Sequence, residues 1–447
     1  MLYADGTTDN IDSLTKLVNV QTGQERISTL IHLSETYREI SMEKSFETGT
    51  EAEKYANKEG LNSMKGTILL SLGKSATISG DYELAQEYLK KAVTAFEETK
   101  NYSELAKTLT NIGLAYKKTA EYEKADKYFL SAIELSKQHK LIDQLAGAEV
   151  NRATMFFTIG EFDKAMDSYQ KVLPIYLELK DTLRYAKVVM NIGLIYWNWN
   201  KNDLALEKQL EAKSLLEKKK DFVELARVNN NIGRLYYQDL KDTTKALEYY
   251  EKSLEIRQNL GSQDGMAVVL SNIGNIYSDK KQFKTAFEYY NKALALSETI
   301  GFKEGAAMAS YYMGISHQKN KNYTESNRFL DACLKISKEY GITTYYSLVN
   351  EYKMNNYAAL GDFDAFIAEA RIFKTERDTL KVKLDELKYK ELIARNKINE
   401  ISPELELANE KIADQQQALV IHKLIIALLL AGLVGFGYVY FFRSRKK

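Results

Sequence analysis

The feature that most constrains the fold of this chain is a motif that returns about every 40 residues. The pattern Asn-Ile-Gly-x-x-Tyr occurs at residues 111–116, 191–196, 231–236 and 272–277. Looser copies, in which a small residue keeps the place of the glycine, centre on Gly73, Ala153 and Gly314. A repeat of this length predicts a stack of similar units, each built from one small supersecondary structure.

A second series of small residues follows each copy of the motif after about 12 residues. Its members are Ala85, Ala125, Ala165, Ala205, Ala246, Ala286 and Ser326. A large apolar residue stands one helical turn after most of them, at Leu89, Phe129, Tyr169, Tyr250, Tyr290 and Leu330. Small residues let two helix backbones approach, and large ones fill the space beside them. The pattern predicts an all-α chain of helical hairpins, with the small residues wedged between adjoining helices.

The order of large, small and aromatic residues in each unit resembles the tetratricopeptide repeat (TPR) family. The resemblance covers residues 24–376, with clear repeats at about 62–342 and degenerate terminal repeats that cap the array. It departs from the usual pattern because the second helix lacks its final proline and the period is about 40 rather than about 34 residues. The resemblance implies a TPR-type helical-hairpin superhelix (α-solenoid) whose first helices line a ligand-binding face, as in the input half of bacterial TPR sensor histidine kinases.

An asparagine recurs two residues before the small residue of the first helix in five units. The five are Asn111, Asn151, Asn191, Asn231 and Asn272. Asparagine is a mediocre helix former, so this repeated placement requires an offsetting interaction. Its amide can donate to and accept from the backbone of an extended peptide, and the resemblance to peptide-binding TPR proteins implies such a ladder. In the alternative interpretation the amides are solvated, or bond to the neighbouring hairpin, and only mark repeat duplication.

Aromatic residues stand four positions after the small residue in three middle units, at Phe157, Trp197 and Tyr237. They would either anchor a ligand beside the asparagines or pack against the next hairpin, and the sequence favours neither interpretation. Cationic residues of the first helices form another candidate set, with Lys107, Lys187, Arg227 and Arg234. They would favour an acidic ligand or simply keep a solvated face soluble.

After the repeats the pattern changes to a three-four spacing of apolar residues. Residues 377–421 predict a coiled-coil helix, and with it a homodimer formed through residues 380–422. Residues 424–442 carry no charged side chain and are long enough to cross most of a bilayer, which predicts one transmembrane helix at 422–442. The basic tail 443–447 then predicts a single-pass protein of the inner membrane, with periplasmic repeats and a cytoplasmic C-terminus. At the other end, residues 1–23 are a polar segment, interpreted as a signal-peptide remnant or a frayed terminus.

Composition argues against several classes of function. The chain has 62 Lys and Arg against 61 Asp and Glu, a formal net charge of +1, so nucleic-acid binding is not expected. Its four histidines are dispersed, and its single cysteine, Cys333, falls at a small-residue packing position. No metal, cofactor or catalytic cluster follows from such a pattern, so the chain is not expected to be an enzyme.

The sequence therefore predicts a membrane-anchored TPR protein that binds proteins or extended peptides in its concave groove. Its expected role is the sensory part of a signal-transduction or transcription-regulating protein, whose output module would lie outside this chain. Two alternatives remain open. One is a membrane-tethered scaffold or adaptor for complex assembly with no output domain, and the other is a tail-anchored protein whose repeats face the cytosol.

Overall fold

The structure is a computed structural model that describes residues 2–38 and 40–375, and within them every regular element is a helix. Helix α1 (Leu2–Val20) comes first, followed by helices that pair as hairpins and by short 3-10 turns at Asn62–Met64 and Thr343–Tyr345. The first helices of the hairpins are α2 (Gly23–Tyr37), α4 (Lys65–Ser79), α6 (Tyr102–Lys118), α8 (Ile142–Thr158), α10 (Thr182–Asn198), α12 (Phe222–Gln238), α14 (Gln263–Asp279) and α16 (Lys303–Lys319). The second helices are α3 (Met42–Lys58), α5 (Tyr82–Glu98), α7 (Tyr122–Gln138), α9 (Phe162–Glu178), α11 (Asn202–Lys219), α13 (Thr243–Leu260), α15 (Phe283–Thr299) and α17 (Tyr323–Tyr340).

Tight turns join these helices, and their sequences explain where each helix stops and starts. Lys180, after α9, has a left-handed backbone with φ 55°, which ends the helix. Asp181 follows directly, and its carboxylate accepts a hydrogen bond from the Arg184 backbone N–H at 2.9 Å. This side chain caps the first turn of α10. Because the turns are so short, consecutive helices have to run antiparallel.

The small residue of each first helix faces the large residue of the second helix in the same hairpin. A Cβ added at Gly113 would lie 2.7 Å from the Phe129 ring, and one added at Gly274 would lie 2.5 Å from the Tyr290 ring. Both rings are buried. The predicted wedge between adjoining helices is confirmed, and it sets how closely the two helices of a hairpin approach.

One hairpin departs from this rule. Gln209 of α11 occupies the place that Leu or an aromatic residue holds elsewhere, and it packs against Gly193. Its Nε2 donates to the Met190 carbonyl at 2.8 Å, while its Oε1 is buried without a hydrogen-bond partner. The core of the α10–α11 hairpin therefore contains an amide oxygen that lost its hydrogen bonds to water on folding and formed no hydrogen bond within the protein.

Successive hairpins stack side by side. First helices of neighbouring hairpins contact each other, as α6 contacts α8 and α14 contacts α16, and each second helix also packs on the next first helix, as α5 does on α6. Direct contacts of the first kind connect the first helices from α2 to α8 and from α10 to α16, and α9 packs on both α8 and α10. At the start of the stack, Leu14 and Val18 of α1 are buried in one cluster with Ile27 and Leu30 of α2. Part of the N-terminal segment that appeared polar in the sequence therefore covers the end of the first hairpin.

The described residues after Ile342 belong to a second compact unit. Its described part contains α18 (Tyr346–Leu360) and helical residues 363–375. The Lys353 ammonium lies 3.1 Å from a Glu369 carboxylate oxygen, and both side chains are largely buried. This ion pair connects the two helices within the unit.

The localisation predicted from the sequence is wrong on the evidence of the described helices. Across residues 2–38 and 40–375, no helix combines the length and the apolar character needed to cross a bilayer. This finding contradicts a single-pass inner-membrane protein with periplasmic repeats. The physical reason is that most apolar residues of each helix lie on the sides that face other helices, and polar and charged residues cover most of the rest. The coiled coil of 377–421, its dimer contact at 380–422, the span of 422–442 and the tail of 443–447 lie outside the described residues.

Candidate functional site

All five predicted asparagines lie on first helices, at the same register position. They are Asn111 on α6, Asn151 on α8, Asn191 on α10, Asn231 on α12 and Asn272 on α14. We call the side of the stack that the first helices form, on which these positions lie, the first-helix face. Asn231 and Asn272 are only 8 % exposed, whereas the other three are half-buried.

Two of these asparagines form the same hydrogen bond with their own helix. The Nδ2 of Asn111 donates to the Lys107 carbonyl at 2.7 Å, and the Nδ2 of Asn151 donates to the Gly147 carbonyl at 2.9 Å. Each bond reaches four residues back along its own helix, so it orients the amide relative to the helix axis. One N–H and the carbonyl oxygen of each amide stay available for another partner.

The next asparagines are used differently. Asn191 donates to the Tyr169 hydroxyl of the preceding hairpin at 3.2 Å, and that hydroxyl also lies 3.1 Å from the Thr154 hydroxyl. Asn272 donates to the Asn230 side-chain oxygen at 2.9 Å. These two amides connect hairpins, as the alternative interpretation of the sequence expects. The five positions are therefore not equivalent: the earlier pair bonds back along its own helices, whereas Asn191 and Asn272 bond to the preceding hairpin.

A cavity of about 280 Å³ opens on the first-helix face between α4, α6 and α8, and we call it the amide cavity. It is lined by Lys74, Lys107, Thr110, Asn111, Leu114, Asp143, Gln144, Gly147, Ala148 and Asn151. Gly147 explains why space exists there, because a Cβ at this position would meet no atom within 4 Å. The corresponding residues of α6 and α10 are Lys107 and Lys187, whose long side chains would occupy that space.

The aromatic residues predicted from the sequence are half-buried and already have partners. Phe157 packs edge-on against Phe162 of its own hairpin, with ring centroids 5.5 Å apart. The Trp197 indole N–H donates to Asp239 at 2.6 Å, and the Tyr237 hydroxyl donates to Asp279. Burial, and then the carboxylate of Asp279, raise the pKa of Tyr237. Trp197 and Tyr237 thus contact the hairpin after their own.

The cationic candidates are also engaged within the protein. The Lys187 ammonium lies 3.3 Å from Glu224, and Arg227 pairs with the same glutamate at 2.5 Å. The Arg234 guanidinium lies over the Trp197 ring, 4.7 Å from its centroid. These contacts reduce the positive field that the residues present to a ligand.

Sequence reasoning missed Lys74, which lines the amide cavity, and Asp239 and Asp279, which bind the aromatic side chains. A signal for Lys74 was present, since it follows Gly73 directly and so occupies the position of Leu114 and Arg234 in later units. The two aspartates carried no such signal. They lie at the ends of first helices, where acidic residues usually serve solubility.

Among residues 2–38 and 40–375 the structure offers no metal-binding cluster to compete with this cavity. No three His, Cys, Asp or Glu side chains there come together in a way that would hold a metal ion. Cys333 is fully buried on α17, and burial raises the pKa of its thiol to about 12. A thiol in that state is a packing group and a poor nucleophile.

The stacked hairpins define the class of protein, a helical-repeat solenoid with its candidate site on the first helices. Residues 65–138 and 224–299 match the family model described as tetratricopeptide repeat. These two stretches of the chain are tetratricopeptide repeats. The narrower resemblance to the input half of sensor histidine kinases stays a prediction.

Solved structures share this fold at low sequence identity, whereas none of the curated protein sequences matches the chain. The apo quorum sensor NprR from B. thuringiensis is 15% identical, with 75% of this chain and 94% of that chain covered and a TM-score of 0.55. Aspartyl phosphate phosphatase F from Bacillus subtilis is 14% identical, with 71% and 95% covered and a TM-score of 0.54. The Rap conjugation gene regulator of the plasmid pLS20, in complex with the Phr* peptide, is 15% identical, with 71% and 97% covered and a TM-score of 0.51. At these identities the likeness shows the fold alone.

Proposed function

We propose that this chain binds an extended peptide segment on its first-helix face, centred on the amide cavity, and that it acts by binding and not by catalysis. The supporting observation is the matched pair Asn111 and Asn151, whose amides are oriented alike on neighbouring helices that line one cavity. Neighbouring helices pack roughly 10 Å apart, which is about three residues of extended chain. The two amides can therefore pair with backbone groups of ligand residues three apart.

The fold neighbours support a peptide as the ligand. The pLS20 regulator was solved in complex with a peptide, and NprR is described as a quorum sensor. Both share the hairpin stack of this chain over most of their length. A stack of first helices presents backbone-binding groups at a regular spacing, which suits a ligand that is itself a regular extended chain.

A library of immobilised heptapeptides, probed with the whole protein, tests this proposal. We expect a subset of peptides to bind, and the double variant Asn111→Ala/Asn151→Ala to lose at least about tenfold in affinity for them, because each amide supplies hydrogen bonds worth about 1 kcal/mol. Asn291→Ala, on the exposed side of α15, is the matched control and should bind as the wild type does. Binding that survives the double substitution at unchanged helicity would remove the asparagines from the mechanism.

A sensory role is the finer part of this proposal, and an adaptor that holds partners without changing shape is the alternative to it. The hydrogen bonds from Trp197 to Asp239 and from Tyr237 to Asp279 connect successive hairpins beyond the amide cavity. A ligand that alters the spacing of the hairpins would alter these two hydrogen bonds as well. An adaptor would bind its partner without changing them.

Tryptophan fluorescence distinguishes the two roles, because the only two tryptophans of the chain are Trp197 and Trp199. In a Trp199→Phe variant, emission reports on Trp197 alone, at a distance from the cavity. Saturation with a peptide selected from the library should shift this emission if the protein is a sensor. Full binding with unchanged emission would support the adaptor.

A further inference from the structure

A second cavity, of about 470 Å³, opens between the second helices α9 and α11 and over the first turn of α10. Helices α9 and α11 both pack on α10 but do not pack closely on each other, so a groove runs between them. Thr182 lines the cavity and is the first residue of α10, whereas α8 and α12 begin with the larger Ile142 and Phe222. The small side chain of Thr182 explains why the groove is open here. We call this space the second-helix cavity, and it shares no residue with the amide cavity.

Apolar side chains line the second-helix cavity and extend beyond it. Tyr185 and Leu215 form part of its wall, and Leu177, which also lines it, is 62 % exposed. Phe222 and Val223 stand just beyond the end of α11 and are 50 % and 62 % exposed. A cluster of exposed apolar side chains around a concavity is typical of an interaction site. A partner that covered this groove would remove these groups from water, which is favourable.

Lysines border the same groove. Lys180 lines the cavity, and Lys218 and Lys219 stand one helical turn after the α11 residues that line it, on the same side of the helix. All three lysines are exposed, and they take part in none of the ion pairs that the described residues form. Glu211 also lines the cavity, but its carboxylate already lies 2.8 Å from the Lys208 ammonium. The groove therefore presents positive charge beside apolar surface, which suits a partner that is both acidic and apolar.

The shape and the polar groups of the groove favour a helix as the occupant. Two second helices that run in the same direction form its walls, and a third helix packs into such a groove through its ridges of side chains. A helix also satisfies its own backbone hydrogen bonds, whereas an extended chain would place N–H groups against apolar side chains and ammonium groups, which accept no hydrogen bond. A flat bilayer surface would leave the concavity unfilled.

We propose that the groove between α9 and α11 is a second docking surface, and that it binds an acidic amphipathic α-helix of a partner protein. The apolar side of that helix would fill the second-helix cavity, and its carboxylates would lie near Lys180, Lys218 and Lys219. Helix-in-groove binding of this kind places apolar anchors at every third or fourth residue of the partner. The proposal does not depend on peptide binding at the first-helix face, since the two surfaces lie on different helices.

Labelled helical peptides of about 18 residues, or five turns, test this proposal in solution with the whole protein. One pool has Leu, Ile and Phe on a single side and Glu elsewhere, the second has Lys in place of Glu, and the third has the Glu composition with its apolar residues scattered around the helix. Fluorescence anisotropy should show the strongest binding for the first pool, and added salt should weaken it. Leu177→Ser/Phe222→Ser and Lys218→Glu/Lys219→Glu should each reduce the affinity about tenfold or more.

Matched variants test whether the location matters. Leu204→Ser removes an exposed leucine from the opposite end of α11, and Lys280→Glu/Lys284→Glu reverses two exposed lysines where α14 meets α15. Both should bind the first pool as the wild type does. Asn111→Ala/Asn151→Ala should also leave this binding unchanged, which separates the groove from the first-helix face. Because all the substituted leucine, phenylalanine and lysine side chains are exposed, the melting temperatures should stay close to that of the wild type.

Several results would overturn the proposal. Failure of the wild type to bind any pool would do so, as would equal binding of the acidic and basic pools, or full binding by both groove variants. Binding to phosphatidylserine vesicles in preference to the peptides would assign the surface to a membrane. A dimer in analytical ultracentrifugation that Leu177→Ser/Phe222→Ser dissociates would assign it to a second copy of the chain. Either assignment would replace the partner helix.

Discussion

Gly233 on α12 and Tyr250 on α13 face each other so closely that a Cβ on the glycine would lie 2.7 Å from the tyrosine ring. It would also lie 3.2 Å from the Ala246 carbonyl oxygen, which belongs to the backbone and cannot rotate away. Tyr250 is fully buried. The missing side chain thus sets the distance between the two helices, and the same relationship recurs between Gly113 and Phe129.

Gly233→Ala should lower the free energy of unfolding by about 1–3 kcal/mol, the usual cost of overpacking a core. Gly147→Ala is the matched control, because it also adds a methyl group inside a first helix but meets no atom within 4 Å. That substitution should stabilise the protein by about 0.5–1 kcal/mol through helix propensity. Urea denaturation followed by circular dichroism measures both. Equal effects from the two substitutions would show that close packing does not set the glycine positions.

Gln209→Met should stabilise the protein by about 1 kcal/mol. The buried Oε1 of Gln209 has no partner, and replacing it with an apolar group of similar size removes its desolvation cost. Tyr169→Phe, at the equivalent position of the preceding hairpin, is the contrasting variant and should destabilise, because its hydroxyl contacts Asn191 and Thr154. Thermal unfolding would measure both variants, and a lower melting temperature for Gln209→Met would contradict the prediction.

Lys220→Gly should stabilise the protein by about 0.5–1 kcal/mol. Lys220 follows α11 with φ 57° and ψ 32°, a left-handed conformation that costs an L-residue with a side chain more than it costs glycine. Lys219→Gly is the adjacent control, since Lys219 is the last residue of the helix and glycine there should destabilise by up to about 1 kcal/mol. Chemical denaturation compares the two. The prediction fails if both substitutions shift stability in the same direction.

Cys333 should resist thiol reagents while the protein is folded. Burial raises the pKa of its thiol to about 12, so at pH 8 the native chain holds almost no thiolate, the reactive form. Labelling with a disulfide reagent should be at least about 100-fold slower in buffer than in denaturing urea. Rapid labelling of the folded chain would show that the thiol is accessible.

The same pKa predicts how stability depends on alkaline pH. The unfolded thiol ionises near pH 8.5, whereas the folded thiol stays neutral to about pH 12. Ionisation thus favours the unfolded chain, and stability should fall between these values by about 1.4 kcal/mol per pH unit from this group. Other groups titrate in the same range, so the measurement is the difference between the wild type and Cys333→Ala. A difference that does not change with pH would contradict the raised pKa.

Much of the fold could be predicted from the sequence, because the repeat reflects packing between residues that are close together along the chain. The contact between Gly113 and Phe129 could be predicted from their residue types and their spacing in the sequence. Each further copy of the pattern predicts the same hairpin. The departure at Gln209 was hidden in that pattern, since a buried amide looks like any polar residue until its surroundings are known. The membrane localisation was the clearest error, and the described helices correct it.

The sequence by itself determined the hairpin repeat, its period and the helix face on which the asparagines stand, because these depend on residues close together along the chain. Only the tertiary structure decided which asparagines share a cavity and which aromatic side chains already bind the next hairpin. Asp239 is 42 residues from Trp197, and no spacing rule connects them. Such pairings arise where neighbouring hairpins stack, and there the geometry of the whole array sets the distances between side chains.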